Sequence, residues 1–194
     1  MSMWIRAALG GALALGAACA AWAQTAEDLS PGTVVSNEPQ PGETYVAETF
    51  ESWQLRCIVN ANGDDPCQLY QLLSGEDGSA VAEMSLFMLP EGGGEAEAGA
   101  TIITPLETLL TQQVTIAIDS DPAKRYPFQF CTQVGCFARI GLSGDDLAAM
   151  RRGVEGRMRI VPAAARDQEV VVAINLAGFT AGFNALRDRG AEGQ

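Results

Sequence analysis

The sequence predicts an all-β dominated fold: an antiparallel β-sandwich with two short helices, stapled by two disulfides. Three observations carry this reading. From Tyr45 onward, short apolar runs alternate with turn signals, the pattern of many short strands. Within SWQLRCIV, residues Trp53, Leu55, Cys57 and Val59 share one face and Gln54 and Arg56 the other, as period two requires of a half-buried strand. Four cysteines, Cys57, Cys67, Cys131 and Cys136, lie downstream of an export signal, and an even set in an exported chain reads as a disulfide framework.

That export signal is MSMWIRAALGGALALGAACAAWAQ. It runs from one cation, Arg6, through an apolar stretch to the small residues Ala21 and Ala23, the order of a secretory signal peptide. Cleavage is expected between Ala23 and Gln24, so residues 1–23 are assigned to the signal. The apolar run is shorter than the roughly 20 residues a spanning helix needs, and no integral membrane segment is expected after cleavage. Cys19 offers a second reading, a lipid-modified cysteine, although Gly16-Ala17-Ala18 lacks the branched residue usual three positions before one. Removing residues 1–23 takes away Arg6 and no acid, so the formal charge moves from −12 to −13. Residues 24–44, QTAEDLSPGTVVSNEPQPGET, are polar, acidic and proline-bearing without an apolar period. They read as a flexible acidic leader ahead of one domain at 45–190.

CTQVGC, residues 131–136, tests the cysteine reading. Zinc would want Cys-x2-Cys spacings or nearby histidines, and the chain has no histidine. A catalytic redox pair favours Cys-x-x-Cys at a helix start. Neither pattern fits, which leaves a staple across a tight turn, with Gly135 supplying backbone freedom. Four cysteines allow three pairings, and sequence does not choose among them; local closure favours Cys57 with Cys67 and Cys131 with Cys136.

The elements follow in order. SWQLRCIV is followed by the turn-rich NANGDDP and then by CQLYQLL, with Cys67 and Leu69 on a shared face. VAEMSLFML, TIIT, QVTIAID, YPFQFC, CFARIGL, GRMRIV and EVVVAINL are further strand candidates. Several are continuously apolar and are expected in the middle of the sandwich. LPEGGGEAEAG, residues 89–99, is glycine-rich and acidic and reads as an exposed loop. SGDDLAAMRRG has Ser143 as N-cap, Asp146 three residues on, arginines in the last turn and Gly153 as a stop. GFTAGFNALRDRG places Phe179, Phe183 and Leu186 on one helical stripe that should pack on the sheet.

Charge is uneven: residues 24–121 hold 17 acids against Arg56 alone, and residues 122–194 hold 10 cations against 7 acids. The acidic balance argues against nucleic acid or anionic lipid as the main partner. RRGVEGRMR, residues 151–159, reads as a solvated helix end and edge strand, with a local anion patch as the alternative. Without histidine there is no Ser-His-Asp or Cys-His arrangement, and neither GxSxG nor GxxxxGK[ST] occurs. The acid pairs Asp64 with Asp65, Asp119 with Asp121 and Asp145 with Asp146 each have a structural explanation in a turn, a strand end or a helix first turn. Asn60, Asn62 and Asp64 could offer oxygens to calcium, but the distal bidentate Glu of such a loop is missing and an Asx-rich turn is favoured. No catalytic residues, metal or cofactor are therefore assigned.

Taken together, WQLRC at 53–57, Cys67-Gln68, TPLETLLTQQVTIAID at 104–119, FQFCTQVGCFARIGLSGDDLAAMRRG at 128–153 and INLAGFTAGFNAL at 174–186 resemble the invasion-associated locus B family. The resemblance spans about residues 48–187, and its most specific piece is Cys-x3-Gly-Cys followed by Ala and a Leu-rich capped helix ending in Gly. One departure lies at Pro105-Leu106-Glu107, where the family often has Pro-x-Gly before its Leu. The resemblance implies an exported bacterial envelope protein without established catalytic activity, associated in some pathogens with entry into host cells. The expectation is a non-catalytic periplasmic or secreted module whose surface contacts an envelope or host-surface protein. Two other classes stay open: a carboxylate-dependent hydrolase of an envelope polymer, and a small-ligand carrier with an apolar cavity between the sheets.

Overall fold

The computed structural model describes residues 30, 32–34, 38–90 and 94–192. The expected signal segment with Cys19 and the expected cleavage site at Ala23 and Gln24, most of the expected leader, and residues 91–93 and 193–194 lie outside the described residues. Among the described residues, eleven strands form two antiparallel sheets within the unit Glu38–Gln194.

The larger sheet begins as a meander: β1 Thr44–Phe50, β2 Trp53–Ile58, β3 Cys67–Ser74, β4 Ala80–Met88 and β5 Ala96–Thr104. It is completed by β9 Cys136–Ser143, which pairs with β5, and β8 Phe130–Cys131 at the edge. The smaller sheet contains β6 Val114–Ile118, β7 Lys124–Tyr126, β10 Glu155–Ile160 and β11 Val170–Asn175, in the order β11-β10-β6-β7. Period two sorts their residues by face: Trp53, Leu55, Leu69, Leu73, Met84, Leu86, Ala100, Ile102, Ala138 and Ile140 of the larger sheet meet Val114, Met158, Ile160, Val172 and Ile174 of the smaller in one buried core.

Both helices extend this core. α1 Gly144–Arg152 starts with a complete capping box: Ser143 Oγ accepts from the Asp146 N–H, and the Asp146 carboxylate accepts from the Ser143 N–H. Gly153 ends the helix, though not in a left-handed turn, since its φ is −74°. A Cβ there would sit 2.9 Å from the Ala149 carbonyl oxygen, Ile118 and Leu176, so glycine is needed for close approach. α2 Phe179–Glu192 covers the inner face over β2 and β3, with Phe179, Phe183 and Leu186 fully buried and Phe179 edge-on to Trp53 at 5.4 Å.

The structure corrects four strand expectations. LPEGGGEAEAG is not loop throughout, because β5 starts at Ala96 and buries Ala98, and a Cβ on Gly99 would lie 2.4 Å from the Phe87 ring. YPFQFC is not one strand: Pro127, which cannot donate to a ladder, lies in the gap between β7 in one sheet and β8 in the other. EVVVAINL is not central, since β11 is a sheet edge and leaves Val171 48% exposed. β1 was not among the expected strands, because a bulge between Val46 and Glu48 breaks its alternation, yet Tyr45, Ala47 and Phe50 all pack on the core.

At Pro105-Leu106-Glu107 the chain turns without the glycine. The Thr108 N–H and Oγ1 both donate to the Pro105 carbonyl, at 3.1 and 2.7 Å. The connection to β6 is then tied to 161–163 by Leu109 N–H to Val161 O and Ala163 N–H to Glu107 O.

Candidate functional site

Disulfides join Cys57 to Cys67 and Cys131 to Cys136, each across directly opposed positions of neighbouring strands with Cα atoms 4.0 Å apart. In CTQVGC the hairpin is closed by Thr132 N–H to Gly135 O at 2.9 Å. A Cβ on Gly135 would lie 2.5 Å from the Thr104 carbonyl oxygen, so this glycine lets the stapled turn lie against β5. All four of these cysteines are thus held in disulfides.

The candidate acids are mostly engaged. Asp65 accepts from the Asn60 N–H at 2.7 Å and from the Tyr45 hydroxyl at 2.8 Å, and these bonds, the backbone one foremost, hold its carboxyl below the usual range. Asn60 also accepts from the Gly63 and Asn62 N–H groups and donates to Asp64 O, so NANGDD is an Asx-rich turn. Asp119 accepts from the Val154 and Glu155 N–H groups and Asp121 pairs with Arg152 at 3.6 Å. The basic stretch is divided likewise: Arg151 lies over Phe183, Arg157 donates to Asp119 O, and Arg159 pairs with Glu169.

Two features that single positions did not reveal emerge in three dimensions. The first is Gln71, 4% exposed on the inner face. Its Nε2 donates to Asn175 O at 2.8 Å and Ser52 O at 3.3 Å, and its Oε1 accepts from the Asn175 N–H at 3.0 Å. Trp53 Nε1 donates to the same Asn175 carbonyl at 2.8 Å. Together they stitch β11 to the larger sheet. The signal was present in CQLYQLL, where Cys67 and Leu69 imply an inward Gln71 that must find partners.

The second is a cavity of about 480 Å³ between the sheets. Its walls are Met84 and Ile140 and Leu142 from the larger sheet, Ile116, Ile118 and Ile174 from the smaller, and Met150 of α1. Its mouth carries Asp121, Lys124, Tyr126, Asp145, Asp146 and Arg152. Lys124 Nζ donates to Asp146 Oδ1 at 2.5 Å, which raises the Lys124 pKa. Burial pushes the Asp146 carboxyl up, but hydrogen bonds from Lys124 and Ser143 outweigh it and hold the group low. Burial raises the Tyr126 hydroxyl, helped by the Asp146 charge and opposed by Lys124. A second cavity, about 600 Å³, lies between the NANGDDPC turn, residues 87–90 and α2.

The opposite, outer face of the larger sheet carries a row in register across five strands: Leu72, Glu83, Ile103, Phe137 and Phe130. Leu72 is 47% and Phe130 42% exposed. Phe130 stacks on Phe137 at 4.8 Å with Arg139 over its ring at 5.7 Å, and Arg56 lies 3.3 Å over Tyr70.

Two sheets, a shared core and a disulfide across each flank of the larger sheet define a disulfide-stapled β-sandwich protein, a construction suited to an oxidising compartment. The chain belongs to the invasion associated locus B (IalB) protein family, whose family model matches residues 53–187. Among solved structures it is similar to the crystal structure of invasion associated protein B from Bartonella henselae, at 20% identity and a TM-score of 0.63 over 76% of this chain and 98% of that one. That likeness establishes a common fold. No curated protein matches the chain. Family membership and the two disulfides together mark an exported protein.

Proposed function

We propose that this is a non-catalytic binding protein of the bacterial envelope, periplasmic or secreted, that engages an envelope or host-surface protein through the outer face of its seven-stranded sheet. The observation that carries the reading is the outer-face row Leu72, Glu83, Ile103, Phe137 and Phe130, exposed at Leu72 and Phe130 and half-buried at Ile103 and Phe137, with Arg139 and Arg56 beside it. Aromatic residues and arginine over an apolar centre are the composition enriched at protein interfaces. The two arginines stand out in a chain of formal charge −12, so the partner surface is expected to be apolar at its centre and acidic at its rim. Engagement of Asp65, Asp119, Asp121 and Asp146 in turns, caps and ion pairs supports the non-catalytic part. Relatives named for invasion suggest a host-surface partner in pathogens.

A photo-crosslinking residue placed in cells at Leu72 or Phe130, and at Arg157 on the other sheet as a control, tests this. A discrete adduct from the first two positions and none from the third supports the reading. Adducts no different from those of an unrelated exported protein would remove the outer face as a docking surface.

A further inference from the structure

From the chamber between the sheets we infer a second binding site, for a small amphiphile with an apolar chain and a neutral or cationic head. It is independent of the outer-face reading. Inner-face positions of a sandwich are normally sealed by the opposite sheet, as Met158 and Val172 are, at 0% and 2% exposure. Ile116 and Ile118 occupy the same face of the smaller sheet and pack on the core, yet both stay only partly buried, because the cavity opens in front of them. Opposite stand Ile140, Leu142 and Met84. A volume of about 480 Å³ falls within the roughly 300–1,000 Å³ of small-molecule sites, which are mostly apolar with a few placed polar groups.

The mouth decides the head group. Among the described residues the Tyr126 hydroxyl has no hydrogen-bond partner, and it lines the cavity, so it can meet a ligand hydroxyl or amine. Both cations are matched, Lys124 by Asp146 and Arg152 by Asp121. Asp145 has no ion pair among the described residues, which leaves a net charge of −1 at the opening. A carboxylate head would meet that surplus and the acidic field of the whole chain; an alcohol avoids the repulsion, and an ammonium gains from it.

The test uses one chain with three heads: octanol, octylamine and octanoate, titrated into the oxidised, processed protein by calorimetry. Saturable binding is expected for octanol and octylamine, with octanoate weaker by about fivefold or more. Asp145→Asn should bring octylamine down to the affinity of octanol. Ile116→Trp fills the chamber and should abolish binding of all three with the circular dichroism spectrum kept. Should that variant fold poorly, intermolecular NOEs from octanol to the methyls of Ile116 and Ile140 in the unaltered protein locate the site without it. The inference is overturned by no saturable binding, by NOEs to Leu72 or Phe130 instead, or by octanoate binding as tightly as octylamine.

Discussion

Gln71 shows what one inward polar side chain can do. It satisfies both backbone groups of Asn175 from the far sheet, so removing it leaves a partly buried N–H without its acceptor while the carbonyl keeps Trp53. A buried donor left unmade costs about 1–3 kcal/mol. Gln71→Leu, similar in volume, is therefore expected to lower unfolding free energy in urea by that amount. Gln68→Leu, which opposes outward Arg56 and is only partly buried, should stay within about 0.5 kcal/mol. Equal effects would remove the inter-sheet stitch as the cause. The face of Gln71 was legible, since it follows from period two and Leu69. Its partner was not, because Asn175 lies 104 positions away and nothing local encodes that meeting.

At the scale of an element, α1 was legible because its signals act within one turn: the Ser143 and Asp146 bonds in the structure join the residues that the sequence paired. β1 and the start of β5 were obscured by local features, a bulge in the first and EAEAG composition in the second, where pairing with β4 and β9 overrides weak propensity. Ser143→Ala should cost about 1 kcal/mol through the lost cap. Asp146 adds a pH dependence because it also receives Lys124. Its folded pKa is lowered, so its contribution is present above the ordinary carboxylate value of about 3.9 and is lost as pH falls through the folded value. Lys124 is raised, so its share is present below about 10.4 and is lost as pH rises through its folded value. Between those limits the tie is constant. Stability measured against pH for Asp146→Asn should therefore lose part of the acid limb seen in the parent; parallel acid limbs would show that this carboxylate has the same pKa folded and unfolded.

For the whole molecule, the staples occupy the two flanks of one sheet. The order β1-β2-β3-β4-β5-β9-β8 puts Cys57–Cys67 in β2–β3 and Cys131–Cys136 in β9–β8. The three strand steps from β3 to β9, at about 4.8 Å each, separate them by about 14 Å. Neither staple lines the chamber, and the convergence of its walls from β4, β6, β9, β11 and α1 is announced by no single segment of sequence. Chain entropy over loops with sequence separations of 10 and 5 gives about 2.7 and 2.1 kcal/mol. Because the sites share no partner, the two losses should add to within about 0.5 kcal/mol. Paired Cys→Ser variants, alone and combined, are expected to lose close to those amounts and about 5 kcal/mol together in urea unfolding under oxidising conditions. A sum of that size is a large fraction of the roughly 5–15 kcal/mol that holds a domain folded, so the doubly reduced chain should be marginal, consistent with a protein made for export. A combined loss well below the sum would mean that one staple already holds the far flank through β4 and β5, and that the sheet unfolds as a single unit from either edge.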